Sequence, residues 1–111
     1  MNKYGNRKIK YDGMTFDSKK EYLRFMELSL LQKAGKIRCL ERQTPFELIP
    51  AQRDRETNKI VERACNYKAD FTYYDENGKY IVEDAKGFRT KDFIIKRKLM
   101  LWVFGIKIKE T

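Results

Sequence analysis

The chain has 111 residues, 41% hydrophobic, 14% aromatic and 37% charged, with a net charge of +9, a length for one packed core and a composition that argues against disorder. It contains no histidine, which excludes Ser-His-Asp and Cys-His nucleophiles, imidazole-containing metal sites and histidine pH switches. Cys39 and Cys65 are too few and too far apart for a disulfide framework or a CxxC element, and no apolar run approaches the ~20 residues of a membrane span, so the expectation is a reduced, cytoplasmic protein with no membrane attachment.

Residues 7–16 alternate loosely around Asp12-Gly13, a pair suited to two-residue hairpin loops, and predict a basic N-terminal hairpin or arm over residues 1–16 that carries Lys3, Arg7, Lys8 and Lys10. A helix follows from Asp17 or Ser18 to Ala34, with Tyr22, Leu23, Phe25, Met26, Leu30 and Leu31 as its apolar set and Gly35 as its left-handed stop. Short strand-like runs come next at 37–40 and 46–49, the second bounded by Pro45 and Pro50, then a charged segment over 52–62 with a turn near Thr57-Asn58. Runs 67–74 and 79–84 read as a hairpin around Asp75-Glu76-Asn77-Gly78. Thr90 caps a second helix running to about Phe104, with Ile95, Leu99, Trp102 and Val103 as its packing stripe and Trp102 placed in the core. Gly105 releases the chain into a last strand over 106–109. The order helix, strands, helix, strand, with no repeat or linker, predicts one α/β domain over 1–111.

Charge is distributed unevenly. Residues 1–40 hold ten Lys or Arg against four acids, 41–85 seven against ten, and 86–111 eight against two. Basic flanks suit a phosphate backbone, and an acidic centre suits a cation held where phosphodiesters are cut; a merely solvated set of acids gives the same composition.

The segment richest in chemistry is Tyr67-Lys-Ala-Asp70-Phe, a turn, then Ile81-Val-Glu-Asp84-Ala85-Lys86-Gly87. On an extended strand Asp84 and Lys86 share a face while Glu83 points away. A three-residue loop Glu76-Asn77-Gly78 sets Asp70 directly opposite Asp84, whereas a two-residue Asn77-Gly78 loop sets Asp70 opposite Ala85, on the wrong face. Two opposed carboxylates repel unless a cation sits between them, and Mg2+, with Mn2+ as a substitute, is the natural occupant. Lys86 beside them suits the charge that develops on a phosphoryl group, and Gly87 permits close backbone approach.

Asp70 followed by Asp84-Ala85-Lys86, framed by Val82 and Gly87, resembles the signature of the PD-(D/E)XK nuclease superfamily. Glu21 on the first helix, the Gln43-Thr44-Pro45-Phe46 strand and the basic second helix are similar to a small phage-encoded branch, near Holliday junction resolvases and transposase nuclease subunits. The likeness covers about residues 16–109, with Ala69 where the superfamily often has Pro. It implies a restriction-endonuclease-like core, a mixed central sheet flanked by two main helices, and Mg2+-dependent hydrolysis of DNA. Carried over, Asp70 and Asp84 are metal ligands, the Ala85 carbonyl adds a further ligand, Lys86 is the catalytic lysine and Glu21 completes the metal site. Branched DNA is the substrate the resemblance favours, in phage recombination or replication within the host cytoplasm, and a homodimer would allow symmetric cleavage.

Plainer readings stand beside these. Ser18-Lys-Lys-Glu21 is also a capping box, in which Glu21 returns to the Ser18 amide. Asp84 with Lys86 is also an ordinary exposed ion pair. Lys8, Lys10, Arg89, Lys91, Lys96 and Lys98 are the candidate DNA contacts, and the solvated face of a core helix accounts equally for those on the second helix. The rival class is a non-catalytic DNA-binding or adaptor protein that keeps the fold; cleavage of RNA or single strands is a third reading.

Overall fold

The structure, a computed structural model, describes residues 8–85 and 89–111. Lys3, Arg7, Lys86 and Gly87 therefore lie outside the described residues.

Strands β1 (Ile9–Tyr11) and β2 (Met14–Phe16) form the expected hairpin, in which Tyr11 pairs with Met14. Asp12 and Gly13 both take positive φ, at 50° and 79°, as the tight two-residue turn requires. The hairpin is anchored rather than a loose arm. Phe16 is fully buried, meets Tyr22 edge to face and Phe25 at a tilt, and lies under the Arg42 guanidinium at 4.0 Å, an arrangement that adds cation–π attraction to apolar burial.

Helix α1 spans Lys19–Lys33. The Ser18 hydroxyl accepts from the Glu21 amide at 3.1 Å, and Gly35, at φ 77°, follows the Ala34 cap; such an N-cap contributes about 1 kcal/mol. The inward stripe differs from the expected apolar set. Leu28 is fully buried, whereas Leu23 and Leu30 face solvent. Glu21, Phe25 and Leu28 follow one another at helical spacing along the side that meets the sheet, so a carboxylate is carried inward on the packing face.

The expected short runs at 37–40 and 46–49 are one strand, β3 (Arg38–Ile49), that passes through Pro45. Since β3 is an edge of the four-stranded sheet, in the order β3, β6, β7, β8, a proline there costs no interior ladder bond. Beyond it β4 (Gln52–Arg53) and β5 (Ile60–Glu62) make a small hairpin. Strands β6 (Cys65–Tyr74) and β7 (Tyr80–Asp84) pair antiparallel. Helix α2 (Lys91–Phe104), capped by Thr90 and stopped by Gly105 at φ 69°, returns the chain to β8 (Lys109–Glu110), which lies parallel to β7 and begins later than the expected 106–109.

Each helix covers its own core. Phe93 and Met100 of α2 pack with Leu48, Tyr67, Ala69, Val82 and Ile108; Leu28 of α1 packs with Ile37, Phe71, Tyr73 and Ala85. These memberships expose an irregularity. Tyr67 and Ala69 belong to the α2 core, yet Phe71 and Tyr73, continuing the same alternation, belong to the α1 core. β3 behaves alike, with Leu40 against the α1 core and Phe46 and Leu48 in the α2 core. The β3–β6 register is nevertheless unbroken from Arg42/Phe71 to Thr44/Ala69. Both strands therefore exchange faces at the row holding Gln43 and Asp70, where Gln43 has φ 55°, a backbone state that few non-glycine residues adopt.

The expected packing stripe of α2 is corrected. Trp102 is 86% exposed, and Ile95, Leu101 and Val103 are also exposed, while Leu99 is partly buried. Apolar residues occur all round this helix, so composition alone does not select its inner side.

Candidate active site

The β6–β7 turn has the three-residue form. The Asp75 amide donates to the Lys79 carbonyl at 2.9 Å, the Gly78 amide donates to the Asp75 carbonyl at 3.0 Å, and Gly78 has φ 79°. The ladder then runs from Tyr74/Tyr80 to Phe71/Glu83, so the next opposed positions are Asp70 and Asp84. There the side chain replaces the backbone partner: the Ala85 amide donates to Asp70 Oδ2 at 2.8 Å. The two strands part at the carboxylates.

Asp70 and Asp84 are both buried, at 5% and 0% exposure. The Tyr67 hydroxyl donates to Asp84 Oδ2 at 2.6 Å, a length typical of a charge-assisted bond. Burial, this bond and the charges of Asp84 and Asp70 push the Tyr67 phenol well above its ordinary range, so Tyr67 is a fixed donor that orients Asp84. Sequence reasoning missed Tyr67: by simple alternation its position three residues before Asp70 falls on the opposite face, and only the exchange of faces brings it beside the acids.

Glu21 is 3% exposed and extends to this cluster from α1. Burial raises its proton affinity most, followed by the charges of Asp70 and Asp17; the Asp17 amide and Arg42 act in the opposite sense. Its Oε2 accepts from the Asp17 amide at 3.4 Å, one residue before the Ser18 amide expected of a capping box, while Oε1 faces Gln43 Nε2 at 3.3 Å and Arg42 Nη2 at 3.6 Å. One oxygen thus meets the helix start, at the Asp17 amide in place of the Ser18 amide of the expected capping box, and the other meets Gln43 and Arg42. Asp70 is the common member, acting electrostatically on Glu21 and on Tyr67.

Glu83 faces the other way, as expected. It is fully buried and accepts from Arg24 Nε at 2.5 Å, Arg24 Nη2 at 2.9 Å, the Tyr73 hydroxyl at 2.7 Å and the Thr111 hydroxyl at 3.3 Å. Burial would raise it, but the Arg24 and Tyr73 hydrogen bonds and the charge of Arg24 outweigh this and hold it below the ordinary glutamate range. β7 therefore carries a satisfied ion pair on its α1 side and the Asp84 carboxylate on its α2 side.

A divalent cation fits the donor chemistry of Asp70, Asp84 and Glu21, all hard oxygen ligands. Among the described residues no three His, Cys, Asp or Glu side chains form a ready-made metal cage. Mg2+ does not require one, because it keeps several waters and takes only one or two carboxylates. The Lys86 position lies outside the described residues.

The candidate DNA contacts divide into two groups. Arg89 is engaged with Glu110 at 2.5 Å and Lys96 with Asp92 at 3.5 Å, whereas Lys8, Lys10, Lys91 and Lys98 are exposed. Among the described residues no helix is long and apolar enough to cross a membrane.

These features define a mixed α/β protein with two helices and a sheet that opens around buried carboxylates. Over residues 1–109 the chain matches the family described as "Protein of unknown function (DUF1064)", and it belongs to that family. No curated protein and no solved structure gives a significant match.

Proposed function

We propose that the protein is a Mg2+-dependent endodeoxyribonuclease with a restriction-endonuclease-like core. The observation that carries this reading is the burial of two carboxylates, Asp70 and Asp84, one step beyond Phe71/Glu83, the last β6–β7 pair, where the Ala85 amide turns to Asp70. Such a pair is costly to bury ionised and gains its purpose from a cation. Asp70 and Asp84 would hold the ion, with Glu21 and the Ala85 carbonyl as further oxygen donors. When bound, Mg2+ supplies Lewis acidity to the scissile phosphate.

The chain's own groups do the rest. The Ala85 amide fixes Asp70, and the Tyr67 hydroxyl fixes Asp84, holding the ligands in place. Lys86, in the position the nuclease signature gives its lysine, counters charge on the phosphoryl group. Lys8, Lys10, Lys91 and Lys98, all exposed, supply cations for the DNA backbone. Branched DNA, including four-way junctions, is the proposed substrate class, in keeping with the resemblance to junction resolvases.

The test is cleavage of end-labelled linear, nicked, forked and four-way-junction DNA with Mg2+ or Mn2+, comparing the native chain with Lys86→Ala. Metal-dependent cutting that the variant loses, strongest on the junction, is the expected result. DNA binding without cutting of any substrate by the native chain overturns the catalytic reading in favour of a DNA-binding adaptor.

A further inference from the structure

The exchange of faces leaves one part of the sheet bare. Tyr67 and Ala69 of β6 turn toward α2, as do Phe46 and Leu48 of β3. Their neighbours Asn66, Lys68, Pro45 and Glu47 therefore point to the α1 side of the sheet. Helix α1, however, packs on the other half of these strands, against Phe71 and Tyr73. All four neighbours are exposed, so no helix covers this face. Its inner border is the row of Gln43 and Asp70, where Glu21 of α1 meets Gln43. The bare face and the carboxylates thus adjoin on one side of the sheet.

Lys68 supplies the positive charge of this face, and among the described residues it takes part in no ion pair. Arg42, Arg89 and Lys96, by contrast, are held by Glu21, Glu110 and Asp92. Lys68 precedes Asp70 by two residues, roughly 7 Å along the strand, a gap that a flexible four-carbon stem can cover.

We propose that Lys68 holds a phosphate of the DNA strand being cut, the one adjoining the phosphate at Asp70 and Asp84. The proposal rests on the nuclease reading. A scissile phosphate at the acids leaves its neighbour over the bare face, where Lys68 meets it. Glu47, opposite Asn66 and at the next position outward on the face, sets the limit. Its exposed carboxylate repels an anionic backbone, so the strand leaves the sheet beyond Lys68. A second copy of the chain suits the face less well. Of the four side chains only Pro45 is apolar, too little for the apolar centre of a protein interface.

The test follows binding of a labelled four-way junction by fluorescence anisotropy in chelator-treated buffer over a salt series, and then cleavage with Mg2+. Lys68→Ala should bind about threefold to tenfold more weakly and lower the salt slope by about 0.9, the share of one phosphate contact. Lys68→Arg should keep both, and Glu47→Gln should bind more tightly. In cleavage, Lys68→Ala should raise KM with little change in kcat. A methylphosphonate placed next to the mapped cut should weaken the native chain and leave Lys68→Ala unaffected, which locates the contact. Circular dichroism should be unchanged throughout, since both positions are exposed. If the native chain cuts but Lys68→Ala matches it in salt slope, KM and methylphosphonate response, the proposal is overturned and the nuclease reading stands. If the native chain cuts no substrate, both fall. A Lys68→Ala chain altered in sedimentation and not in DNA binding also overturns the proposal and gives the face to a second copy.

Discussion

Gln43 lies opposite Asp70 across the β3–β6 ladder, between the pairs Arg42/Phe71 and Thr44/Ala69, and its Nε2 reaches Glu21 at 3.3 Å. The row at which both strands exchange faces thus also carries the link between the sheet and the acid of α1. Gln43→Ala should loosen Glu21 without disturbing the partners of Asp84. If the nuclease reading holds, the apparent Mg2+ affinity falls by roughly tenfold, the lower end of the effect of removing a supporting group, with little change in the maximal cleavage rate at saturating metal. A magnesium titration of cleavage by the native chain and the variant checks both.

Asp70→Asn should abolish stabilisation by metal. A ligand that binds only the folded state at a hundred times its dissociation constant adds about 2.7 kcal/mol, and the native chain should show an increase of that order with Mg2+ or Ca2+. The variant, still able to accept the Ala85 amide, should melt at the same temperature with and without the ion. Scanning calorimetry in metal-containing and chelator-treated buffer distinguishes the two.

Tyr67→Phe removes the donor to Asp84 while keeping the ring against Phe46 and Phe93. A hydrogen bond to a charged group contributes about 1.5–3 kcal/mol, so a loss of stability in that range is expected in denaturant titrations. A greater loss would mean that the ring also shifts.

Glu21 and Glu83 respond to acid in opposite ways. The proton affinity of Glu21 is raised in the folded chain, so its contribution to stability is full below the ordinary glutamate range and is lost as pH rises through its elevated value. Glu21→Gln should therefore raise the melting temperature at neutral pH in metal-free buffer, by on the order of a few degrees. The proton affinity of Glu83 is lowered, so its contribution is present at neutral pH and disappears as pH falls through its depressed value. Melting temperatures measured from pH 3 to 8 should show the native chain losing stability on acidification through Glu83, with a flatter neutral limb in Glu21→Gln.

Arg24→Met leaves Glu83 buried without its cation. Breaking such a pair costs roughly 3–5 kcal/mol, a large part of the stability of so small a domain. The double variant Arg24→Met/Glu83→Gln should recover much of the loss. Urea denaturation of the two variants provides the comparison.

What was legible in the sequence was local chemistry. Ser18 and Gly35, and Thr90 and Gly105, mark the two helices because capping depends on residues within a turn. Gly78 marks the β6–β7 turn, since a left-handed residue is needed there, but it suits a two-residue and a three-residue loop alike, and the Asp75–Lys79 backbone bond decides between them. Pro45 was misleading because its position on an edge strand depends on the order of strands in space. The exchange of faces at Gln43 and Asp70 was hidden for a related reason: a positive φ at glutamine is imposed by the assembled sheet. The inner side of α2 was equally hidden, because Trp102 and Met100 satisfy the same periodic pattern and only packing against Tyr67 and Val82 separates them.

The reversal at Gln43 and Asp70 gives the sheet a mechanical character. A continuous pleat resists bending along its whole length, whereas two half-plates joined at one row flex where they join. The amide of Gln43 should therefore exchange with deuterium faster than those of Phe46 or Thr72 on either side. The most compliant line of the sheet then crosses the carboxylates themselves, and a bound ion would act as a rivet, slowing exchange first in the middle of the sheet rather than at its frayed ends.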